Sequence, residues 1–280
     1  MFNNLTDEKV SVIIPNYNHA HFLETRINSV LNQSYKNLEI LLLDDCSTDE
    51  SHNIFEKYKR NKRIKKVIFN DTNSGSTFKQ WQLGLENATG EYIWIAESDD
   101  YSDASFVERM VKNISINNNI GMVYCQSYEV YSDTLKFDKI QISQNLDEIS
   151  TIIGGKSFLK KYIIDKNSIP NVSSVLFRQS YIRKYCSFGT SFKYAGDWFI
   201  YINILCNSDI YIESEYLNYF RSHNETTRAK RDIHQWIIAF EELLRIQNLL
   251  LTNKVIAGPI YQKNVYKIIQ NISFYNDIHA

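Results

Sequence analysis

The sequence is short of the residues that interrupt regular structure. It has 9 glycines and 3 prolines in 280 residues, where typical usage is about 7% and 5%. That scarcity excludes a collagen-like chain, a Gly/Ser linker and a proline-rich disordered protein. Apolar residues make up 44% and aromatics 14%, which excludes disorder as well. An excess of one charge is also missing. Lys and Arg total 31 against 32 Asp and Glu, so no net field points to nucleic acid or an anionic surface as the main partner. The one dense basic run, Lys57 to Lys66, falls between a helical and a strand pattern and reads as a solvated helix end. The four cysteines, Cys46, Cys125, Cys186 and Cys206, form no C-x-x-C pair. Their spacing argues against a zinc site or redox dithiol and suits a reducing cytoplasm. Met1 to Lys9 is polar, unlike a signal peptide, and no apolar window is long enough to span a membrane. Three nucleotide or nucleophile motifs are absent: G-x-G-x-x-G, G-x-x-x-x-G-K-[ST] and G-x-S-x-G. Their absence argues against nicotinamide and flavin enzymes, P-loop enzymes and elbow-type hydrolases.

Over the first 130 residues, apolar runs alternate with helical patterns. Val10 to Ile14, Leu38 to Leu43, Val67 to Phe69, Tyr92 to Ala96 and Met122 to Cys125 read as strands. Helical patterns lie between them at His21 to Leu31, from Thr48 or Asp49 as a cap through Tyr58, at Ser76 to Asn87 and at Ala104 to Asn117. The series predicts an α/β fold with a mostly parallel sheet flanked by helices. Ligands in such sheets bind beyond the carboxyl ends of the strands. After Ser127 the rhythm weakens, and Asp133 to Gly154 shows no clear pattern. Gly155 to Tyr162 and Asp197 to Cys206 look helical; Ser173 to Phe177, Ile210 to Ile212 and Tyr216 to Phe220 look like short strands. From Asp232 two helices are expected, split by Gly258-Pro259, with stripes that read mainly as core packing and secondarily as a dimer or membrane-surface face. The chain ends at Ala280 in or just after a helix, as a piece of a longer enzyme would. Length alone allows one to two domains.

The strand ends carry chemistry. They read Pro15-Asn16-Tyr17-Asn18, Asp44-Asp45-Cys46-Ser47-Thr48-Asp49, Asn73-Ser74-Gly75 and Glu97-Ser98-Asp99-Asp100. Acids grouped at adjacent strand ends repel one another unless a cation or ligand donors offset them. Magnesium-like ions are held by one or two carboxylates plus substrate phosphates. The acidic end at Glu97 to Asp100 therefore points to a phosphorylated donor held through a metal.

Taken in order, these motifs resemble a family 2 glycosyltransferase of the GT-A fold. The resemblance covers Lys9 to Arg228 and includes Val10-Ser-Val-Ile-Ile-Pro-Asn-Tyr-Asn18, Asp44-Asp-Cys-Ser-Thr-Asp49, Gly90-Glu-Tyr-Ile93, Glu97-Ser-Asp-Asp100, Gly196-Asp-Trp198 and Tyr219-Phe-Arg-Ser-His223. It implies a GT-A domain at 1–228, with a nucleotide-sugar half at 1–127 and an acceptor half at 128–228, followed by a helical segment at 229–280. Pro15 and Tyr17 would line the base pocket, and Asp45 would accept a hydrogen bond from uracil. Asn73 and Gly75 would sit near base and ribose, with Lys79 facing the same cleft. Asp99 would bind ribose or metal, and Asp100 would ligate Mn²⁺ or Mg²⁺ at the diphosphate, with His223 completing the site. Asp197 would be the catalytic base and Trp198 would pack on the acceptor sugar. The sequence departs from the family pattern at Glu97, where Asp is frequent, at Cys46 in place of glycine, at Gly196 where Glu often precedes the base, and at Phe78-Lys-Gln-Trp81.

The implied reaction is inverting transfer from a UDP-sugar to a hydroxyl of a glycan or lipid-linked glycan for a surface polysaccharide. It would take place in the cytoplasm or at the inner face of the membrane, with no nucleic acid involved. A sugar nucleotidyltransferase and a non-catalytic nucleotide-sugar-binding module stand as alternatives. Gly75, Gly84, Gly90 and Gly196 lie in or between these segments, so Gly→Ala there is expected to impair activity before folding.

Overall fold

Mostly apolar runs become fully buried strands. In the computed structural model, which describes residues 7–131, 137–139, 150–169, 171–222 and 232–279, β1 (Val10–Asn16) and β2 (Leu38–Asp44) are buried at every position. With β3 (Ile64–Phe69) and β4 (Tyr92–Ile95) they form the parallel part of the sheet, in the order β3-β2-β1-β4. The connections are α1 (Ala20–Leu31), α2 (Ser51–Tyr58) and α3 (Thr77–Asn87). After β4 come the two-residue β5 (Tyr101–Ser102), α4 (Phe106–Ile114), β6 (Ile120–Tyr131) and β7 (Phe137–Lys139). Next are β8 (Thr151–Gly154), α5 (Gly155–Phe158) with a π-helical continuation over Leu159–Ile163, β9 (Val175–Arg178) and α6 (Gln179–Gly189). α7 (Gly196–Leu205), β10 (Asp209–Ser222), α8 (Ile233–Thr252) and α9 (Gly258–His279) complete the order.

The sheet continues from β4 as β9-β6-β10-β5. β9 lies antiparallel to both β4 and β6, so it separates the two strands that the sequence rhythm would set side by side. β6 and β10 are parallel to each other, and β5 pairs antiparallel with β10. Alternate strand residues face opposite layers. Ile13, Leu41, Ile93 and Phe177 pack under α3, α6, α7 and α8. Val12, Leu42, Trp94 and Leu176 pack against α1, α2 and α4.

Several local expectations change. Ile210 to Ile212 and Tyr216 to Phe220 belong to one strand, β10, whose pairing with β6 shifts register on either side of Tyr216. These irregularities absorb the polar Glu213-Ser214-Glu215 interruption that splits the strand in the sequence pattern. Asp49 does not cap α2 alone: its Oδ1 accepts from Ser51 N at 3.0 Å and its Oδ2 from Ala20 N, the first residue of α1, at 2.8 Å. Cys46 adopts a left-handed φ of 64°, so the turn keeps the shape that a glycine would favour.

The glycine expectation fails at three positions. A Cβ on Gly84 would lie 2.4 Å from Ile13 Cγ2, one on Gly90 would lie 2.6 Å from the Ser11 backbone nitrogen, and one on Gly196 would lie 2.7 Å from the Phe78 ring. These glycines serve close packing, and their substitution acts on folding first. Gly75 alone of the four combines a positive φ of 67° with open surroundings.

The C-terminal helices share the sheet's core. Ile246, Leu250, Val255 and Ile256 pack with α7 and the strands. Asp232 and Gln235 form a reciprocal capping box at the start of α8. Among the described residues no helix is long and apolar enough to cross a membrane.

Candidate active site

The first two strand ends are fastened to each other. Asn16 and Asp44 are register partners, and Asn16 Nδ2 donates to Asp44 Oδ1 at 3.0 Å. Asn18, left-handed at φ 56°, accepts from Thr48 N at 2.7 Å through its Oδ1. Tyr17 lies between them and is 46% exposed. Pro15 is buried inside β1, so of the two residues only Tyr17 presents its side chain to solvent.

Asp45 is almost fully enclosed. Its Oδ1 accepts from Asn70 Nδ2 at 2.8 Å, Ser74 N at 2.9 Å and Gln80 Nε2 at 2.7 Å, and its Oδ2 from Ser74 Oγ at 2.7 Å. Three of these four donors meet Oδ1, and Oδ2, with one donor, keeps acceptor capacity. Asp45 thus orders the loop after β3 through Asn70, Ser74 and Gln80. In that loop Asn73 Nδ2 donates to Asp45 O at 3.0 Å, and its Oδ1 accepts from Gly75 N at 2.7 Å. Lys79 is exposed and its Nζ donates to Ser74 O at 3.2 Å.

The acidic end of β4 is built around an arginine that sequence reading missed. Arg26 is fully buried on the apolar side of α1, beside Leu23, Ile27 and Val30. Its Nε donates to Glu97 O at 2.8 Å, its Nη2 lies 3.8 Å from Asp100 Oδ2, and its guanidinium sits over Trp94. Both Nη atoms are enclosed without a hydrogen-bond partner. Burial brings its pKa down to about 10, against the opposing pull of Asp100. The one sequence signal was a charged residue inside an apolar helical stripe.

Glu97 Oε1 accepts from Trp81 Nε1 at 2.7 Å, so its longer arm and the unusual tryptophan are two halves of one contact. Burial, reinforced by Asp99, pushes the Glu97 carboxyl up to about 8. Asp100 is 1% exposed; its Oδ1 accepts from Arg221 N at 3.0 Å and its Oδ2 from Asn171 Nδ2 at 2.5 Å. Burial and then Asp99 raise its pKa, with Arg26 opposing. Asp99 keeps partial solvent access. Arg221 Nη1 donates to the Asp99 carbonyl at 2.8 Å, and its guanidinium lies 4.9 Å over both Phe22 and Tyr101.

These positions test the expected metal. Among the described residues no three His, Cys, Asp or Glu side chains are grouped to hold an ion. Asp100, expected to ligate the ion, carries one protein donor on each oxygen in this arrangement. Asp99 is the acid of the pair that reaches solvent. One such carboxylate fits a cation carried mainly by substrate phosphates and does not fit a protein-built cage. His223 lies outside the described residues.

Asp197 stands in the first turn of α7 and is half-buried. Its Oδ1 accepts from Trp198 N at 2.7 Å and its Oδ2 from Asn167 Nδ2 at 3.0 Å. Trp198 is 6% exposed within the core, and its Nε1 is enclosed without a partner. At that burial Trp198 offers little ring surface for the acceptor stacking expected of it. Asn167 and Asn171 tie the two acidic centres together, one bonded to Asp197 and the other to Asp100. Four residues of chain span at most about 14 Å, so both centres are served by one short segment. Both asparagines contribute through tertiary contacts that no local pattern announces.

Comparison with known proteins accords with this geometry. The sequence profile described as "Glycosyl transferase family 2" matches residues 11–185. An uncharacterized glycosyltransferase of Haemophilus influenzae is 31% identical over 164 residues, 57% of this chain and 63% of that protein. Poly(ribitol-phosphate) beta-N-acetylglucosaminyltransferase TarS of Staphylococcus aureus is 41% identical over 95 residues, 33% of this chain and 16% of that protein. The chain thus matches less than two thirds of the length of these curated relatives. Residues 1–349 of S. aureus TarS, solved in complex with UDP-GlcNAc, superpose with a TM-score of 0.71 at 20% identity, covering 93% of this chain and 71% of that one. A mannosyltransferase from Pyrobaculum calidifontis, solved with GDP-Man and Mn²⁺, superposes with a TM-score of 0.60 at 14% identity, covering 92% and 69%.

Proposed function

The chain belongs to glycosyl transferase family 2 and has the GT-A fold, and from that premise we propose that it moves a sugar, with inversion, from a UDP-sugar to a hydroxyl of a glycan or lipid-linked glycan. The observation that carries this reading is the pairing of two carboxylates with solvent access, Asp99 at the end of β4 and Asp197 at the start of α7. The segment holding Asn167 and Asn171 connects the two centres. Family membership makes the chain a transferase, and neither the nucleotidyltransferase nor the non-catalytic alternative gains an observation in its favour.

In this reading Tyr17 offers its exposed ring to the base, and the loop ordered by Asp45 shapes the pocket beside it with Asn73, Gly75 and Lys79. A Mn²⁺ or Mg²⁺ ion held by Asp99 and Asp100, together with His223, would offset charge on the leaving diphosphate. Asp197 takes the proton from the attacking hydroxyl. Asn167 holds Asp197 Oδ2 and so aims Oδ1 and the remaining lone pairs. Fixing acceptor and base on the same frame as the donor contributes through orientation. TarS, a structural neighbour, was solved with UDP-GlcNAc, which supports UDP as the nucleotide. Residues 1–127 serve the donor, 128–228 the acceptor, and the helices from 229 support the acceptor side. The enzyme works in the cytoplasm, at the inner membrane face when its acceptor is lipid-linked, with surface polysaccharide as the end product.

The test is a thermal-shift panel of UDP-, GDP- and dTDP-sugars with and without Mn²⁺. A ligand at 100 times its Kd stabilises by about 2.7 kcal/mol. A UDP-sugar with Mn²⁺ is expected to give the largest shift; no shift with any nucleotide sugar would overturn the assignment.

A further inference from the structure

Helix α7 begins without a capping side chain: its N-cap is Ala195. Amide groups at a helix start need acceptors from elsewhere. The turn that leads into α7, up to the N-cap amide, is held from another helix. Glu242 on α8 is 4% exposed. Its Oε1 accepts from Lys193 N at 2.5 Å, and its Oε2 from Tyr194 N at 2.9 Å and Ala195 N at 2.8 Å. One helical turn further on, Arg245 grips the same segment. Its Nη1 donates to Ser191 O at 3.0 Å, its Nη2 to Ser191 Oγ at 2.7 Å, and its guanidinium lies 3.8 Å over the Phe192 ring. The residue after this clamped segment is Gly196, packed against Phe78 of α3, and the next is Asp197.

We infer that Glu242 is a positioning residue for the transfer reaction: its carboxylate clamps the three amides at 193–195 and thereby sets where Asp197 stands. The inference rests on the reading of Asp197 as the base. Glu242 lies beyond residues 11–185, the part matched by the family profile, so the C-terminal helix supplies a control on the site from outside that part. A carboxylate accepting several backbone amides is a strong, directional anchor. A buried glutamate facing backbone amides also cannot be replaced by an apolar side chain without stranding those donors.

The test uses the full chain in three forms: wild type, Glu242→Ala and Glu242→Gln. Hydrogen exchange at the amides of 193–195 should quicken in Glu242→Ala while exchange in the loop ordered by Asp45 stays unchanged. Displacing a catalytic group by about 1 Å costs on the order of a hundredfold, so kcat should fall by about tenfold to a hundredfold at unchanged UDP affinity and donor KM. Glu242→Gln keeps one acceptor oxygen and should recover part of both the protection and kcat. In an Asp197→Asn background, Glu242→Ala should lower the residual rate no further. Additive losses in that double variant, or a kcat loss that tracks lost UDP affinity, would overturn the positioning role. Unchanged exchange at 193–195 would overturn the clamp itself. A wild-type protein that binds no nucleotide sugar would instead refute the proposed function, and the exchange measurement would still decide whether the clamp exists.

Discussion

Two acids of this protein, Asp100 and Asp197, carry the same functional group in opposite settings. Asp100 is enclosed, with a buried guanidinium beside it and protein donors on both oxygens. Asp197 keeps a half-open surface and is held from one side by Asn167 and from the other by its own helix. The contrast teaches that acid content at a strand end does not by itself show which carboxylate meets a ligand. Burial separates the two, since each carries a protein donor on both oxygens. By this criterion Asp100 and Asp45 are enclosed, while Asp99 and Asp197 keep solvent access.

The largest expected effect sharpens the contrast at its open end. Asp197→Asn keeps an acceptor for Asn167 and removes the base, so kcat should fall by about 10²- to 10⁴-fold, the usual worth of general base catalysis, with little change in melting temperature. Initial-rate assays and calorimetric melting check both parts. At the enclosed end the effect should move from activity to folding. Asp100→Ala leaves Arg26 buried beside a lost partner, and breaking such a pair costs about 3–5 kcal/mol. Urea unfolding should show that loss with or without nucleotide; a variant as stable as wild type would break the contrast. The smallest effect is expected beside Asp197. Trp198→Phe removes an indole N–H that has no partner and roughly keeps the packing, so stability should change by less than about 1.5 kcal/mol. Acceptor KM should be unchanged. A raised acceptor KM would return Trp198 to the cleft.

Much of the N-terminal half was legible in the sequence, because Val10 to Ile14, Leu38 to Leu43 and Tyr92 to Ala96 are buried on both faces and read as mostly apolar runs. The acceptor side resisted for identifiable reasons. Helix α6 has a polar outer surface and no clear cap, so its pattern carries little helical signal. Strand β10 appeared as two strands because Glu213-Ser214-Glu215 interrupts its pattern, whereas Glu213 is buried and bonded to Asn113. β9 runs against the parallel rhythm because its direction is set by pairing with strands distant in sequence. The site divided in the same way. Acids and glycines at strand ends were visible as motifs, but their orientation was not. Arg26, Asn167, Asn171 and Glu242 act through tertiary contacts, and local spacing carries little trace of them.

Isothermal titration of UDP in the presence of Mn²⁺ into Asp99→Asn and Asp197→Asn, alongside transfer assays of both, tests the central claim most directly. The account predicts that Asp99→Asn loses metal-dependent UDP binding, while Asp197→Asn binds UDP as the wild type does and transfers almost nothing. Metal-dependent binding that survives in Asp99→Asn, or near-wild-type transfer by Asp197→Asn, would contradict it.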